Sequence, residues 1–179
     1  MRFEALPLAG AYSVIPEPHD DERGFFARIW SSAEFAERGL APRLAECSVS
    51  HTPHRGTLRG LHYQVAPHEE AKFVTCVRGS IWDVIVDLRT ESPTFRQWHG
   101  TELDGGQLQA FYVPEGFAHG FLTLSDDVLV LYQISEFHDA ASARGVRWDD
   151  PAFGIFWPFQ PSVVGERDRS YPDFNGPAS

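Results

Sequence analysis

Short apolar runs separated by glycine and proline fill the middle of the chain and restrict it to a β-rich fold. The runs at residues 73–77 and 81–88 are rich in β-branched and aromatic residues, and Arg78-Gly79-Ser80 between them predicts a tight hairpin. In the second run, residues 82, 84 and 86 should face one side of the strand, and residues 83, 85 and 87 the other. Further strands are predicted at residues 109–113, 121–124 and 128–134. Short strands at this spacing predict a β-sandwich or jelly roll.

Helix is predicted in few places. Residues 31–38 begin with serines that can cap a helix and stop at Gly39, and a second short turn is expected at residues 139–144. The last twenty residues indicate an ordered tail or short 3₁₀ turns. With 179 residues the chain can bury most of the surface that its unfolded form exposes. We therefore expect one all-β domain over residues 1–179, with a few short helices.

Charge and hydropathy exclude two classes of partner. The formal net charge of −10 argues against a nucleic-acid-binding surface. The sequence has no apolar run of roughly 18 residues, so no membrane span is expected. An anionic small molecule would need a local basic cluster, and whether the candidate residues converge depends on the fold. These candidates are Arg23, Arg59, Lys72, Arg167 and Arg169.

The termini and cysteines favour a cytoplasmic protein. The first residues lack the long apolar core of a signal peptide. The only two cysteines, Cys47 and Cys76, are interpreted as reduced thiols rather than a disulfide.

Two motifs carry the strongest functional signal. Pro114–His119 has the Pro-x-Gly-x-x-His form of an inner strand pair in a cupin barrel. His62-Tyr63-Gln64 stands where a metal-binding cupin places His-x-His, but its second histidine is Gln64, and Lys72 takes the place of the acidic ligand. A protonated lysine cannot bind a metal, although it can stabilise an oxyanion. The pattern predicts a cupin without a metal or other cofactor that keeps a base and a cation in one cavity.

The order of motifs along nearly the whole chain resembles the dTDP-4-dehydrorhamnose 3,5-epimerase family of nucleotide-sugar epimerases. The motifs are Asp21–Phe26, Arg59–Gln64, Ser92–Phe95, Pro114–Phe121, Trp148–Pro151 and Ile155–Pro158. The resemblance implies a cupin jelly roll and a nucleoside-diphospho-4-keto-6-deoxy sugar as substrate. It also implies a homodimer in which N-terminal residues complete the partner's site.

The same resemblance implies roles for individual residues. His62 would be the base, Asp168 its orienting carboxylate, Lys72 the enolate stabiliser and Tyr132 the acid on the opposite face. The residues expected to bind substrate are Arg23, Phe26, Arg28, Glu46, Ser48, Arg59, Gln64, His119 and Arg167.

The chemistry of a 4-keto sugar explains why these residue types are needed. The C4 ketone acidifies the hydrogens on C3 and C5, because either carbanion is stabilised as an enolate. Inversion then requires a base, an acid on the other face, and a cation or hydrogen-bond donor at O4. An imidazole is suited to proton transfer near neutral pH, and a carboxylate behind it fixes its tautomer.

Each assignment has a structural alternative. His62 could be a core histidine bonded to backbone, Lys72 a rim lysine in solvent, and Tyr132 a packing residue. Arg23 could form a surface salt bridge, and His119 could be a core residue or a remnant of a metal site.

Three positions depart from the family pattern. Arg28 replaces the usual Glu, Glu46-Cys47-Ser48 replaces Gln-x-Asn, and Gln133 replaces the Lys that often follows Tyr132. Positions near 28 and 46 tend to contact the nucleotide or sugar in this family, and the exchange at position 28 reverses a charge. The nucleotide (dTDP, CDP or GDP) and the sugar therefore stay open.

The function predicted is epimerisation at C3, C5 or both. A C3-only epimerase is one alternative. A metal-dependent cupin is another, but it has too few ligands, since only His62, Gln64 and His119 are suitably placed. A non-catalytic sugar-nucleotide-binding cupin would not need the base, carboxylate and opposing tyrosine.

Overall fold

Two antiparallel sheets face each other in a computed structural model that describes residues 1–176. Sheet I contains, in spatial order, β1 (Arg2–Ala5), β2 (Tyr12–Ile15), β10 (Ala110–Val113), β7 (Lys72–Arg78), β12 (Val128–Ile134) and β5 (Glu46–Thr52). Sheet II contains β13 (Ala143–Gly145), β6 (Thr57–Gln64), β11 (Phe117–Thr123), β8 (Ser80–Asp87) and β9 (Trp98–Asp104), and β14 (Val163–Val164) pairs in parallel with β6. A separate hairpin joins β3 (His19–Asp21) to β4 (Gly24–Phe26). The predicted all-β jelly roll is confirmed.

The alternation of β8 divides its side chains between two cores. Ile81 and Ile85 are fully buried between the sheets, whereas Val84 and Val86 are buried on the outer face of sheet II. The predicted split of this strand into two faces is therefore confirmed. Since both faces are covered, the strand reads as a nearly continuous apolar run.

The hairpin predicted at Gly79 is wrong. β7 pairs with β10 and β12 in sheet I, whereas β8 pairs with β11 and β9 in sheet II, so the chain passes between sheets at this point. Gly79 has φ +75°, and a Cβ there would lie 2.6 Å from the Ser125 Oγ and 2.9 Å from the Val128 Cγ2. Glycine is needed for a corner between two sheets rather than for a two-stranded turn.

Two short segments cover the outer faces of the sandwich. α1 (Ser32–Ala36) buries Phe35 against Phe73 and Tyr112 of sheet I. The helix is shorter than predicted, and Ser31 occupies the N-cap position without a side-chain capping bond. The C-terminal segment packs Phe153 and Phe174 against the outer face of sheet II. None of the helices in residues 1–176 has the length and apolar content that crossing a bilayer requires.

The predicted C-terminal elements are partly different in the structure. Residues 139–142 form the expected turn, in which the Asp139 carboxylate accepts the Ser142 N–H at 2.7 Å, but β13 follows immediately. The tail forms β14 and then α2 (Glu166–Ser170), and α2 carries Asp168 into the sandwich. Residues 177–179 of the expected domain lie outside the described residues.

The Ser92–Phe95 motif closes a loop around a buried carboxylate. Asp87 is fully buried and accepts hydrogen bonds from the Arg89 guanidinium and from the Thr94 hydroxyl, each at 2.7 Å, and also from Ser92. Burial alone would raise the pKa of Asp87, but the hydrogen bonds from Arg89, Ser92 and Thr94 outweigh it and hold the pKa below its ordinary value. The motif therefore has a structural role.

We expect Asp87→Asn to lower the free energy of unfolding by about 2–4 kcal/mol, because an amide offers one acceptor where several donors converge. The lowered pKa means that the carboxylate stabilises the fold fully above the ordinary Asp pKa and loses this effect as the pH falls through the lowered value. Urea unfolding across the acid range checks this. Equal stability of the two proteins at neutral pH would contradict it.

Candidate active site

One cavity of about 320 Å³ is lined by strands of both sheets. Its walls come from β5, β7 and β12 of sheet I, from β6 and β11 of sheet II, and from α2. The lining residues are Ser48, Val49, Ser50, Arg59, His62, Lys72, His119, Tyr132, Ile134 and Asp168. Seven of the residues predicted from the sequence are therefore brought together.

The histidine on β6 forms a hydrogen-bonded pair with the acid on α2. The His62 Nε2 lies 2.7 Å from the Asp168 Oδ1, and the Asp168 Oδ2 accepts the Gly60 N–H at 3.1 Å. Burial raises the pKa of Asp168, but hydrogen bonds from His62 and Gly60 more than offset this and leave it below the ordinary value. An ionised carboxylate only accepts, so the proton of neutral His62 sits on Nε2 and the lone pair on Nδ1.

Gly60 allows the strand that carries His62 to approach β11 closely. Its φ is +118°, and a Cβ would lie 2.5 Å from the Gly120 Cα and 2.8 Å from the His119 carbonyl oxygen. This approach sets His119 directly opposite His62 in the β6–β11 pair. The glycine of the Arg-Gly-Leu-His motif thus places two imidazoles at one cavity.

His119 forms a second histidine–carboxylate pair, deeper in the sandwich. Its Nε2 lies 2.8 Å from the Asp83 Oδ1, and both side chains are almost completely buried. The other Asp83 oxygen has no hydrogen-bond partner among residues 1–176. Burial raises the pKa of Asp83, and the neighbouring His119 opposes that shift. The His119 ring meets Tyr132 edge-on, with 5.9 Å between ring centroids.

Tyr132 presents a protonated phenol to the cavity. It lies on β12 and packs against the core between the sheets. Burial raises its pKa well above the ordinary range, and the negative charge of Asp83 acts in the same direction. The hydroxyl therefore keeps its proton at neutral pH and is available as a donor.

Lys72 is a buried cavity residue and not a rim lysine. It is 7% exposed at the start of β7, and its Nζ donates to the His62 carbonyl oxygen at 3.3 Å. The Nζ also lies 2.6 Å from the Glu70 Oε1. Glu70 and Asp83 are absent from the motifs that pointed to the site. A signal was available for Glu70, since residues two apart in an extended segment share a face.

Two other predicted residues lie at the mouth of the cavity. Arg59 is exposed, and its Nε donates to the Thr52 Oγ1 at 3.0 Å. Ser48 lies on β5 opposite Tyr132. Glu46 begins the same strand, opposite Ile134, but is not among the lining residues.

The N-terminal candidates lie away from the cavity of their own chain. Arg23 is 84% exposed and pairs with Asp21 within the β3–β4 hairpin, as the surface salt-bridge alternative describes. Phe26 is 71% exposed, and the Arg28 Nη1 lies 3.9 Å from the Glu34 Oε1.

The Gln64 side chain binds loop backbone and is not among the residues that line the cavity. It is 3% exposed, its Nε2 donates to the carbonyl oxygens of His68 (2.8 Å) and Phe137 (3.2 Å), and its Oε1 accepts the Asp139 N–H at 2.7 Å. These bonds occupy the amide and tie two loops together.

Arg167 also lies outside the cavity lining. It is exposed on α2, with its guanidinium carbon 5.9 Å from the centre of the Tyr171 ring. Within residues 1–176, no group of three or more His, Cys, Asp or Glu side chains is arranged to hold a metal ion.

A family model and individual relatives both identify this chain as similar to dTDP-sugar epimerases. The family model of dTDP-4-dehydrorhamnose 3,5-epimerase matches residues 5–176. The enzyme of that name from Methanothermobacter thermautotrophicus is 41% identical over 173 residues, which cover 95% of this chain and 92% of the relative. A dTDP-4-dehydrorhamnose 3-epimerase from Streptomyces niveus is 40% identical over 170 residues, covering 94% of this chain and 82% of the relative.

A solved structure shows the same fold. The crystal structure of dTDP-4-dehydrorhamnose 3,5-epimerase from Bacillus anthracis, with TDP and PPi bound, superposes with a TM-score of 0.92 at 35% identity. The match covers 97% of this chain and 99% of the crystallised one.

Proposed function

The chain belongs to the dTDP-4-dehydrorhamnose 3,5-epimerase family, and we propose that it inverts C3, C5 or both in a nucleoside-diphospho-4-keto-6-deoxyhexose. The substrate expected first is dTDP-4-dehydro-6-deoxyglucose. The observation that carries the proposal is the His62–Asp168 pair, because it shares one cavity with Lys72 and Tyr132.

The proposed reaction gives each of these side chains one role. The His62 Nδ1 removes the proton from the carbon next to the ketone, the C–H electrons form the enolate, and Asp168 stabilises the imidazolium. The Lys72 ammonium donates a hydrogen bond to the negative O4. Tyr132 then protonates the same carbon from the other face, and solvent restores the phenol proton while His62 releases its own.

Arg59 supports diphosphate binding at the mouth of the cavity. A guanidinium binds phosphate oxygens through two parallel hydrogen bonds, and Arg59 is exposed where a ligand would enter. The sugar ring would then extend inward, towards His119 and Lys72.

A homodimer would give the N-terminal hairpin a function. Phe25 and Phe26 are 58% and 71% exposed, and Val49 on the edge strand β5 is 61% exposed. Exposed aromatic residues of this kind mark interaction surfaces. In the dimer we propose, the hairpin of each chain carries Arg23, Phe26 and Arg28 to the nucleotide end of the partner's cavity.

Mixing two inactive variants tests this arrangement. Arg23→Ala and His62→Ala subunits, unfolded and refolded together, should recover about a quarter of the wild-type activity, since half of the dimers are mixed and each holds one intact site. Sites built from one chain alone would give no recovery. Each variant refolded alone is the control.

Deuterium exchange tests the reaction itself. Wild-type protein incubated with dTDP-4-keto-6-deoxyglucose in D₂O should lose the C3 and C5 proton signals in NMR spectra, and His62→Ala should not cause this loss. No exchange with dTDP-, CDP- or GDP-linked substrates would contradict the proposal.

A C3-only epimerase is the second candidate. It is favoured by the 40% identity to the Streptomyces niveus protein named as a 3-epimerase. Inversion at C3 alone in the isolated product would establish it, whereas inversion at both carbons would exclude it. Comparing the exchange rates of the dTDP-, CDP- and GDP-linked substrates then shows whether this chain, which has Arg28 in place of the usual Glu, prefers a nucleotide other than dTDP.

A further inference from the structure

Lys72 of the cavity lining belongs to a buried ion pair, in addition to the two histidine–carboxylate pairs at this site. The Lys72 Nζ and the Glu70 Oε1 are 2.6 Å apart, and the two side chains are 8% and 9% exposed. Lys72 is the only lysine in the sequence, in which the other fourteen basic residues are arginines. Both charged groups are therefore largely shielded from solvent.

The backbone fixes the position of Glu70 relative to Lys72. Ala71 between them donates its N–H to the Ser135 Oγ at 2.8 Å and accepts the Ser135 N–H at 3.0 Å. The extended segment therefore continues along β12 before β7 begins, and residues 70 and 72 point to the same side. The pair is built into the sheet and does not depend on a flexible loop.

The contacts of Lys72 account for two of its three ammonium hydrogens. One is directed to Glu70 and a second to the His62 carbonyl oxygen at 3.3 Å. The third is left for a group in the cavity, which Lys72 lines. A lysine side chain has four rotatable bonds, so two fixed acceptors sharply reduce the directions that the third N–H can take.

Burial also gives Glu70 an electrostatic role. An isolated ammonium is disfavoured in a dry cavity, and a carboxylate in contact with it offsets that cost. The other titratable side chains that line the cavity around Lys72 are Arg59, His62, His119, Tyr132 and Asp168. Three of them, Arg59, His62 and His119, carry or can acquire positive charge in the same cavity, which makes the Glu70 carboxylate more important.

We propose that Glu70 is a positioning residue: it holds the Lys72 ammonium so that its remaining N–H is directed at the oxygen that becomes negative when the substrate is deprotonated. The proposal rests on the proposed function, since that oxygen is O4 of the keto sugar. Glu70 does not contact the substrate and acts only through Lys72.

Glu70→Gln should lower kcat by about 10- to 100-fold, because a displaced donor stabilises the enolate less. The KM should change by less than about threefold, since ground-state binding is left intact. Glu70→Asp, which keeps the charge on a shorter side chain, should recover part of the loss. The matched control is Glu69→Gln, which changes the exposed neighbouring glutamate and should leave both constants unchanged.

A double-mutant cycle shows whether Glu70 acts through Lys72. In a Lys72→Met background, Glu70→Gln should cause no further loss of kcat. The double variant should also unfold at a higher urea concentration than Lys72→Met, because Lys72→Met alone leaves the buried Glu70 carboxylate without its partner. Additive losses of kcat would overturn the proposal, as would a Glu70→Gln enzyme with wild-type kcat.

The single lysine provides a readout that does not depend on activity. Protein labelled with ¹⁵N-lysine should give one Nζ–Hζ correlation at neutral pH, because the ion pair slows exchange of the ammonium hydrogens with water. Glu70→Gln should abolish this signal and Glu69→Gln should keep it. If the wild-type protein catalyses no exchange but the correlation behaves in this way, the proposed function has failed while the ion pair stands. An unchanged correlation in Glu70→Gln would overturn the positioning role.

Discussion

Replacing His62 by alanine is expected to slow deuterium uptake at C3 by about 10³- to 10⁴-fold, the upper end of what one general base contributes. The other imidazole that lines the cavity, His119, should not take its place, since its ring is buried and held by Asp83. The measurement is the initial rate of exchange in D₂O, followed by NMR, with the folded state of the variant checked by its urea unfolding curve.

Two further variants make the His62 result specific. Asp168→Asn should keep the fold but lower the rate substantially, because the amide can stabilise the other tautomer of His62. His54→Ala, at an exposed histidine outside the cavity, should retain the wild-type rate. A His62→Ala protein with more than about a tenth of the wild-type rate would show that another group is the base.

Replacing Lys72 by methionine is expected to lower kcat by about 10²- to 10³-fold, the magnitude found when one donor to an oxyanion is removed. Methionine keeps much of the side-chain volume and removes the charge, so the loss reflects enolate stabilisation more than packing. Steady-state kinetics of the epimerisation, with KM measured beside kcat, checks this.

The control for the Lys72→Met variant is the removal of a positive charge elsewhere on the surface. Arg55→Met removes an exposed cation that stacks on Phe159, outside the cavity, and should leave kcat unchanged. If Lys72→Met lowered kcat/KM only through a raised KM, Lys72 would be a binding residue and the proposed enolate role would be wrong.

Hydrophobic alternation predicts much of this fold because strands with two buried faces leave a clear pattern. The predicted strand at residues 128–134 has the same bounds as β12, and the two faces of β8 are as expected. The pattern does not encode which strands pair, so the predicted hairpin at Gly79 is in fact a passage between sheets. The helix at residues 31–38 was predicted too long because capping residues mark a start more clearly than an end.

In the candidate site, too, residues within local motifs could be predicted from the sequence, whereas partners that are distant in the chain could not be predicted from such motifs. His62, Lys72 and Tyr132 lie in recognisable strands, whereas Asp168 is 106 residues from His62 and was identified only through family resemblance. The partnership of Asp83 with His119 depends on the register of β8 and β11, which the sequence does not reveal. The position of Gln64 in the motif suggested the cavity, whereas its side chain binds loop backbone and does not line the cavity.

The central claim is that a base and an acid act on opposite faces of one carbon, and Tyr132→Phe tests it most directly. The variant is incubated with substrate in D₂O, and the deuterium content and configuration at C3 and C5 are read in recovered substrate and product. If Tyr132 is the opposite-face acid, His62 still exchanges the proton, so deuterium enters substrate of unchanged configuration while inversion is lost. If exchange and inversion fall together, or inversion persists at the wild-type rate, the assignment of Tyr132 is contradicted.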